Sequence, residues 1–393
     1  MDVGSASISW TDFDDPILHD LIQTSFENNL NIENAYLTLE QATNSFSIQK
    51  QEKKVQYGAD VIANRTDVED FDPRETYSFS SFARYEIDLW NKIGARIEDT
   101  VLALESAEES IVVARITIAG VITDLYFNIR VQDRILELRR EQLDILAHQK
   151  ALQTVRLRAG AITRLDVDQL DVEIQSLESN IESLIASRRR AEQNLAILIG
   201  TPPIDFRVEP KPLDMFDVPR LNPEAPAKLI LNRPDIRDAE REIRRANLSL
   251  HGARTNYLPD FILQLTGTKS TDNISDFLSL SDIVHSSIGS ISQILLDDGD
   301  RKIEKTNARI SVDQALNNYE LVILDALIEI ETALIDQNEN LRQIGILQNQ
   351  LKAQERASEI TKVRYESGTA SAFDFIREQQ TILSIKELSL IHI

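Results

Sequence analysis

The chain has 393 residues, a net charge of −22 and no cysteine, which excludes disulfides and thiolate metal sites. Its acidity argues against a nucleic-acid partner, because binding a polyanion needs a basic face. Residues 1–10 lack the basic and apolar regions of a signal peptide, and no run approaches the roughly 18 apolar residues of a spanning helix, so we expect any membrane span to be a β-barrel.

A helix followed by a β-hairpin is predicted at the start of the chain. Residues 31–56 have apolar side chains at spacings of three and four, which is typical of an amphipathic helix. From Tyr77 to Leu89 the apolar residues alternate with polar ones, except at Phe82. This two-residue period predicts a long strand of the kind found in tilted barrels. With Ala59–Thr66 as its partner, it forms a hairpin at about 59–89.

Two stretches without proline predict very long helices. No proline occurs between Pro73 and Pro202 or after Pro259, and proline costs about 3 kcal/mol inside a helix. The helical pattern of residues 92–159 corresponds to about 100 Å at 1.5 Å per residue. After a glycine it returns with coiled-coil spacing as far as Gly200.

The second half of the chain repeats this order, which indicates an internal duplication. We predict a first repeat at 1–200, a proline-rich equatorial connector at 201–230 and a second repeat at 231–393. The second repeat contains a helix, a hairpin at about 261–296 and another long helical hairpin. Each half is therefore expected to contribute two strands, giving a mainly α fold with a small β part.

A short turn between long helices occurs twice, around Gly160 and Gly368. The two copies, Arg156–Gln169 and Arg364–Glu378, superpose at an offset of 208 residues. Glycine after a basic last turn ends a helix, because glycine tolerates positive φ. We therefore predict two helical-hairpin tips at about 160 and 368 that act together.

Several strings of the sequence resemble the TolC/OprM-like outer membrane efflux family. They are YEIDLWNKIG (85–94), LAILIGTPP (195–203), the RPDI-containing stretch 229–263 and LLDDGDRKIE (295–304). The resemblance implies a homotrimer whose strands form an outer membrane β-barrel, four per protomer, and whose long helices form an α-barrel in the periplasm. It also implies a periplasmic adaptor and an inner-membrane RND-type pump, or an ABC transporter, as partners.

In the family the hairpin tips close the periplasmic end of the channel. Carried over by position, Asp166, Tyr365 and Asp374 are the gate and selectivity candidates. Carboxylates gathered around a threefold axis would repel and raise one another's pKa. The alternative is that both aspartates are first-turn charges favoured by the helix dipole. The pattern departs from the family at Ala370, where some members carry arginine, and at Arg377, which replaces an acidic residue.

No enzyme chemistry is predicted. The five histidines lack metal-ligand spacing, no phosphate-binding loop is present, and neither a cofactor nor a metal is expected. Arg188–Arg190 is interpreted as a solvated helix face. The alternatives to an efflux channel are the outer membrane component of type I protein secretion and, from another class, a soluble coiled-coil scaffold.

The two ends of the sequence also differ from the family. The last helix is expected to be shorter than its counterpart in the first repeat, and a signal peptide or lipid-carrying cysteine is expected in the native protein. The string Leu388–Ile393 matches the translation of a common sequencing adapter, so we expect a truncated C-terminus.

Overall fold

The computed structural model describes Phe13 and residues 15–67, 73–211, 230, 233–279 and 281–391. The elements within these ranges are α1 (Pro16–Asn28), α2 (Leu30–Gln51), β1 (Gln56–Thr66), β2 (Arg74–Ile87), α3 (Lys92–Arg158), α4 (Arg164–Leu198), α5 (Pro234–Thr255), β3 (Asp260–Thr271), α6 (Ile274–Phe277), β4 (Val284–Ser292), α7 (Asp300–Glu366) and α8 (Ala372–Ile391). The prediction of a mainly helical chain with four strands is confirmed.

The chain forms two compact units that interleave along the sequence. Unit 1 comprises 1–33, 114–229 and 326–393, and unit 2 comprises 34–113 and 230–325. Each unit thus draws on both predicted repeats. The predicted repeats are therefore divisions of the sequence that do not coincide with the two compact units. Their boundaries remain a prediction.

Unit 2 contains one antiparallel sheet with the strand order β1-β2-β3-β4. The two hairpins are joined by pairing of β2 with β3, for example Tyr77 opposite Thr271. The first hairpin begins at Gln56, three residues before the predicted start, and the second ends at Ser292, four residues before the predicted end. In this sheet β1 and β4 each have a strand on one side, so both outer edges present unpaired backbone groups.

The core of unit 1 lies where α1, α3 and α4 meet. Their apolar residues at helical spacing turn to a common interior, as the sequence pattern predicts. The fully buried members of this cluster include Leu18, Ile22, Ile122, Tyr126 and Leu195. A second cluster, around Leu146, Leu170 and Leu177, holds α3 and α4 together and includes Ile376 of α8.

The prediction that Arg188–Arg190 is a solvated face is wrong for two of the three arginines. Arg188 donates to Asp133 of α3 at 2.5 Å and to the carbonyl of Val208 at 2.8 Å. Arg189 donates to the carbonyls of Phe206, Pro203 and Ile204. A chain segment leaving α4 folds back over these arginines, which local spacing does not reveal. Arg190 is exposed, as predicted.

Glu192 completes this arrangement, and its side chain is only 1% exposed. Its carboxylate accepts from Arg188 at 2.6 Å, from Arg189 at 2.9 Å and from the backbone N–H of Val208 at 2.9 Å. We call Arg188, Arg189 and Glu192 the connector clamp, because together they hold residues 203–208 against α4. Residues 212–229 of the predicted connector lie outside the described residues.

The expectation that no stretch is long and apolar enough to span a membrane as a helix is corrected by α3. Among the described residues, this one helix passes by length and composition. Ile118, Ile122 and Tyr126 of the same helix are buried in the core of unit 1. A single helix that passes by length and composition is weak evidence of a span.

Candidate functional site

Both tips are closed by the same backbone arrangement. Gly160 has φ of 72° and Gly368 has φ of 77°. At the first tip the N–H of Ala161 donates to the carbonyl of Arg156 at 3.0 Å, and the corresponding bond at the second tip measures 2.8 Å. This Schellman motif satisfies carbonyl groups at the helix end and requires a left-handed residue. Both glycines adopt the conformation that such a helix stop needs.

Asp166 and Asp374 occupy equivalent positions in the first turn of the returning helices. Asp166 Oδ2 accepts from the hydroxyl of Thr163 at 2.7 Å and from its backbone N–H at 2.8 Å. Asp374 Oδ2 accepts from the hydroxyl and backbone N–H of Ser371 at 2.7 and 3.0 Å. Each aspartate therefore belongs to a capping box that starts its helix. Within one chain, both aspartates are therefore first-turn residues of their helices, which is the alternative to gating given in the sequence analysis.

The caps also favour the ionised form of both carboxylates. The hydroxyl and backbone bonds of Thr163 lower the pKa of Asp166 below its ordinary value. The hydroxyl and backbone bonds of Ser371 do the same for the pKa of Asp374, with further lowering from Arg377 and Arg364. Arg377, which departs from the family pattern, thus favours the ionised form of Asp374. Asp166 is half-buried and Asp374 is exposed, and the lowered pKa values keep both carboxylates charged at neutral pH.

Tyr365 connects the second tip to the first. Its side chain is buried, and its ring stacks on Phe375 with centroids 6.2 Å apart and planes 5° apart. The Arg156 guanidinium lies 5.3 Å from the ring centroid, a cation–π distance. Gln153 of α3 donates to the phenol oxygen at 3.4 Å. These contacts tie the end of α7 to the end of α3.

A pocket of about 140 Å³ lies between the two tips. Its wall includes Asp166, Tyr365, Ala370 and Ser371. The structure therefore brings two of the three candidates to one cavity. Asp374 is not among the residues that line it. The roles of all three in gating depend on neighbouring chains and remain predictions.

Polar side chains join three helices behind the tips, and single-sequence spacing does not predict these pairs. Arg139 contacts Glu387 at 2.7 Å, linking α3 to α8. Burial raises the pKa of Glu387, although Arg139 opposes this effect. The remaining links are Lys150–Asp171 and Glu173–Gln380. Polar contacts therefore join α3 to α4, α3 to α8 and α4 to α8, beside the apolar cluster that these helices share.

Cross-strand register divides the sheet of unit 2 into two unlike faces. Directly paired residues lie on the same face, and every pair in this sheet joins residues of equal parity. The odd-numbered face is mostly apolar and contains Tyr57, Val61, Tyr77, Phe79, Tyr85, Phe261, Leu263, Leu265 and Ile291. An apolar face of this kind is suited to contact lipid.

Besides Arg65 and Glu75, which pair with each other near the ends of β1 and β2, the apolar face carries a buried charge. Lys269 pairs with Phe79 and is buried. Its ammonium group donates to the carbonyls of Ser279 and Ser281 at 2.6 and 2.8 Å. The connection between β3 and β4 therefore folds over this lysine and supplies the hydrogen bonds that a buried cation requires. Phe277 of α6 packs on Tyr77, with centroids 6.0 Å apart.

The even-numbered face is rich in hydroxyl groups. Ser78 pairs with Ser270, and Thr266 pairs with Ser286, with oxygen separations of 3.3 and 2.5 Å. The other polar members include Asp60, Ser80, Arg84, Glu86, Gln264, Thr268, Ser290 and Ser292. An apolar face opposite a polar face is the arrangement of a barrel wall between lipid and water.

No group of three or more His, Asp or Glu side chains that could hold a metal ion occurs in the described parts of the chain.

Comparisons with known proteins agree with this arrangement. A family model described as outer membrane efflux protein matches residues 21–201 and 225–387. The pyoverdine export outer membrane protein OpmQ of Pseudomonas aeruginosa is 24% identical over 396 residues, covering 97% of this chain and 82% of that protein. The toluene efflux pump outer membrane protein TtgI of Pseudomonas putida is 25% identical over 389 residues, covering 95% and 81%.

Solved structures share the fold. The Vibrio cholerae outer membrane protein VceC has a TM-score of 0.88 at 19% identity, covering 98% of this chain and 94% of that one. The open-state MtrE outer membrane channel of Neisseria gonorrhoeae has a TM-score of 0.87 at 22% identity, covering 100% and 90%. With the matched family model spanning most of the chain, these findings establish that the protein belongs to the outer membrane efflux protein family.

Proposed function

We propose that this protein is the exit duct of a tripartite efflux system in a Gram-negative outer membrane. It passively conducts substrates delivered by an inner-membrane pump through the periplasm to the outside. The observation that carries this proposal is the two-faced, four-stranded sheet with two unpaired edges in a chain of this family. An open edge is costly in lipid, where no water satisfies the backbone. Closure therefore requires further copies of the chain.

The assembly that fits is a homotrimer, with β4 of each protomer beside β1 of the next. An even number of antiparallel strands per chain keeps this junction antiparallel. The odd-numbered face would contact outer membrane lipid and the even-numbered face would line the duct. A periplasmic adaptor would join the channel to an RND-type pump or an ABC transporter.

Disulfide trapping tests the closure, because the sequence contains no cysteine to interfere. Val61→Cys on β1 is combined with one cysteine at Ser287 or Gly289 of β4. Neighbouring antiparallel Cα atoms lie about 4.5–5.5 Å apart, within disulfide range. We expect one of these combinations to give a covalent trimer on a denaturing gel.

The matched control uses the opposite face of the same strand. Val61→Cys with Ser286→Cys or Ile288→Cys is expected to remain uncrosslinked, because odd and even residues point to opposite sides of the sheet. Each single-cysteine variant should run as a monomer. Covalent dimers without trimers, or equal linking on both faces, would contradict edge-to-edge closure.

Within this duct, Asp166, Tyr365 and Asp374 are the proposed gate. Docking of the adaptor and pump would separate the tips, and the charged carboxylates would concentrate cations at the entrance. The support is the contact of Tyr365 with Arg156 and Gln153, which couples the two tips. The capping roles of the aspartates are compatible with this, because Asp374 remains exposed and Asp166 lines the pocket between the tips.

Asp374→Asn removes the charge of this residue while keeping its capping role. Asparagine retains an oxygen for the Ser371 bonds, so we expect the helix start to persist while cation preference of the reconstituted channel falls at least twofold. In the wild type, the cap and the nearby arginines lower the pKa of Asp374, so the cation preference should persist from pH 8 to pH 5. Reversal-potential measurements in planar bilayers report both results.

Two results would remove Asp374 from the selectivity role. One is an unchanged cation preference in Asp374→Asn. The other is a loss of preference between pH 8 and pH 5 that the variant shares. A loss confined to the wild type would instead indicate that repulsion among three carboxylates outweighs the caps.

The alternatives are less well supported. The relatives OpmQ and TtgI are named for pyoverdine export and toluene efflux, which favours efflux over type I protein secretion. A soluble coiled-coil scaffold leaves the apolar face of the sheet without a purpose. A monodisperse protein that needs no detergent would support the scaffold and contradict the duct.

A further inference from the structure

Phe82 is an aromatic residue on the otherwise polar face of β2. The neighbouring even-numbered residues of this strand are Ser78, Ser80, Arg84 and Glu86. Phe82 breaks the strict alternation that makes the rest of the strand recognisable. On the proposed duct wall, an apolar ring among hydroxyl and charged groups calls for an explanation.

The ring lies over a glycine of the adjacent strand. Phe82 pairs directly with Gly58 of β1, and a Cβ atom at Gly58 would come within 2.4 Å of the Phe82 ring. The glycine thus provides the space in which the ring rests on the sheet. Gly58→Ala would displace the ring, so the two residues form one structural unit, an aromatic plate on the wall.

One surface of the Phe82 ring lies against the sheet at Gly58, and the ring is partly accessible. Phe82 is half-buried, and the partner on its other side is Thr266. Asp60 lies diagonally across from Phe82, beside Ser80. A ring held against the sheet loses little conformational freedom when a solute stacks on its free surface.

We propose that Phe82 is a transit contact for planar aromatic solutes in the duct, a role that rests on the proposed function. In a closed trimer each protomer would present one plate at the same height. Aromatic stacking adds at most about a tenfold change in affinity per pair. A contact of this strength suits a conduit, because a solute must leave as readily as it enters.

Channel block by the planar aromatic cation ethidium tests the inference. Ethidium is added to the compartment facing the β1–β2 and β3–β4 connections of channels in planar bilayers, so that it reaches Phe82 without crossing the tips. We expect Phe82→Ser to weaken block about fivefold and Phe82→Tyr to retain it. Block by tetraethylammonium, which has no ring, should be equal in all variants.

Phe79→Ser is the matched control, because Phe79 lies three residues away on the opposite face. Its ethidium block should equal that of the wild type, and trimer formation is checked on a gel for each variant. Equal ethidium block in Phe82→Ser and wild type would overturn the transit contact while leaving the duct intact. A wild-type protein that forms no trimeric channel would overturn the proposed function and this inference with it.

Discussion

Replacing Glu192 with alanine is expected to lower the free energy of unfolding by about 1–3 kcal/mol, since buried hydrogen-bond donors lose an acceptor, although Arg188 keeps its ion pair with Asp133. Arg188, Arg189 and the N–H of Val208 would all lose their shared acceptor. The segment 203–208 should detach from α4 first. Denaturation of the detergent-solubilised protein, followed by circular dichroism, measures the loss.

The exposed neighbour Arg190 provides the matched control, and Arg190→Ala should change the free energy of unfolding by less than about 0.5 kcal/mol. Glu192→Gln, which keeps an acceptor for Val208, should fall between the two. Equal stability of Glu192→Ala and Arg190→Ala would show that the clamp contributes nothing to unit 1.

The clamp also predicts the pH dependence of stability. Burial opposes ionisation of Glu192, but the Val208 N–H, Arg189 and Arg188 outweigh it and lower the pKa of Glu192. Its stabilising effect is therefore complete above the unfolded pKa of about 4.3 and is lost as the pH falls through the lowered folded pKa. The difference between wild type and Glu192→Gln should be constant from pH 6 to 8 and shrink in stronger acid.

Gly200→Ala is expected to destabilise the protein by about 2–5 kcal/mol, combining about 1–2 kcal/mol for a left-handed backbone with about 1–3 kcal/mol for overpacking. Gly200 has φ of 71°, and an added Cβ would lie 2.3 Å from the carbonyl oxygen of Asn28. That oxygen belongs to the backbone at the end of α1. The next residue, Asn29, holds this end of α1 in place, because its side-chain amide donates to the carbonyl of Leu198 at 2.7 Å.

The chain offers two controls with nearly the same backbone angle. At Gly160 and Gly368 nothing lies within 4 Å of an added Cβ, so Gly160→Ala and Gly368→Ala should cost only the left-handed term of about 1–2 kcal/mol. Thermal melts of the three variants compare them directly. Similar melting temperatures for all three variants would show that α1 shifts to accommodate the new methyl group. The close contact at Gly200 would then contribute little to the loss of stability.

Local patterns predicted the elements because each pattern has one physical cause. Alternation from Tyr77 to Leu89 reflects a strand with two unlike faces, and the absence of proline after Pro259 permits a helix as long as α7. Strand ends were less accurate, because they depend on where pairing stops. Phe82 broke the alternation, and only the register with Gly58 explains its place.

The same local patterns of apolar residues and proline could not predict contacts between distant segments of the chain. A three-four spacing identifies one face of α4, but it does not say that residues 203–208 cover Arg188 and Arg189. For Asp166 the sequence left a first-turn charge favoured by the helix dipole and a gate as alternatives, and the structure adds a capping role. The cap is local and is seen in one chain, whereas the gate is a property of several chains and remains a prediction.

The interleaving of the two units bears on how this protein is synthesised. Unit 1 needs residues 326–393 and unit 2 needs residues up to 325, so no early portion of a nascent chain holds a complete unit. Strand β2 waits for β3, as the contact between Ser78 and Ser270 joins residues 192 positions apart. Non-local pairing of this kind is slow to form. The first hairpin therefore keeps an unpaired, aggregation-prone edge until β3 has been synthesised.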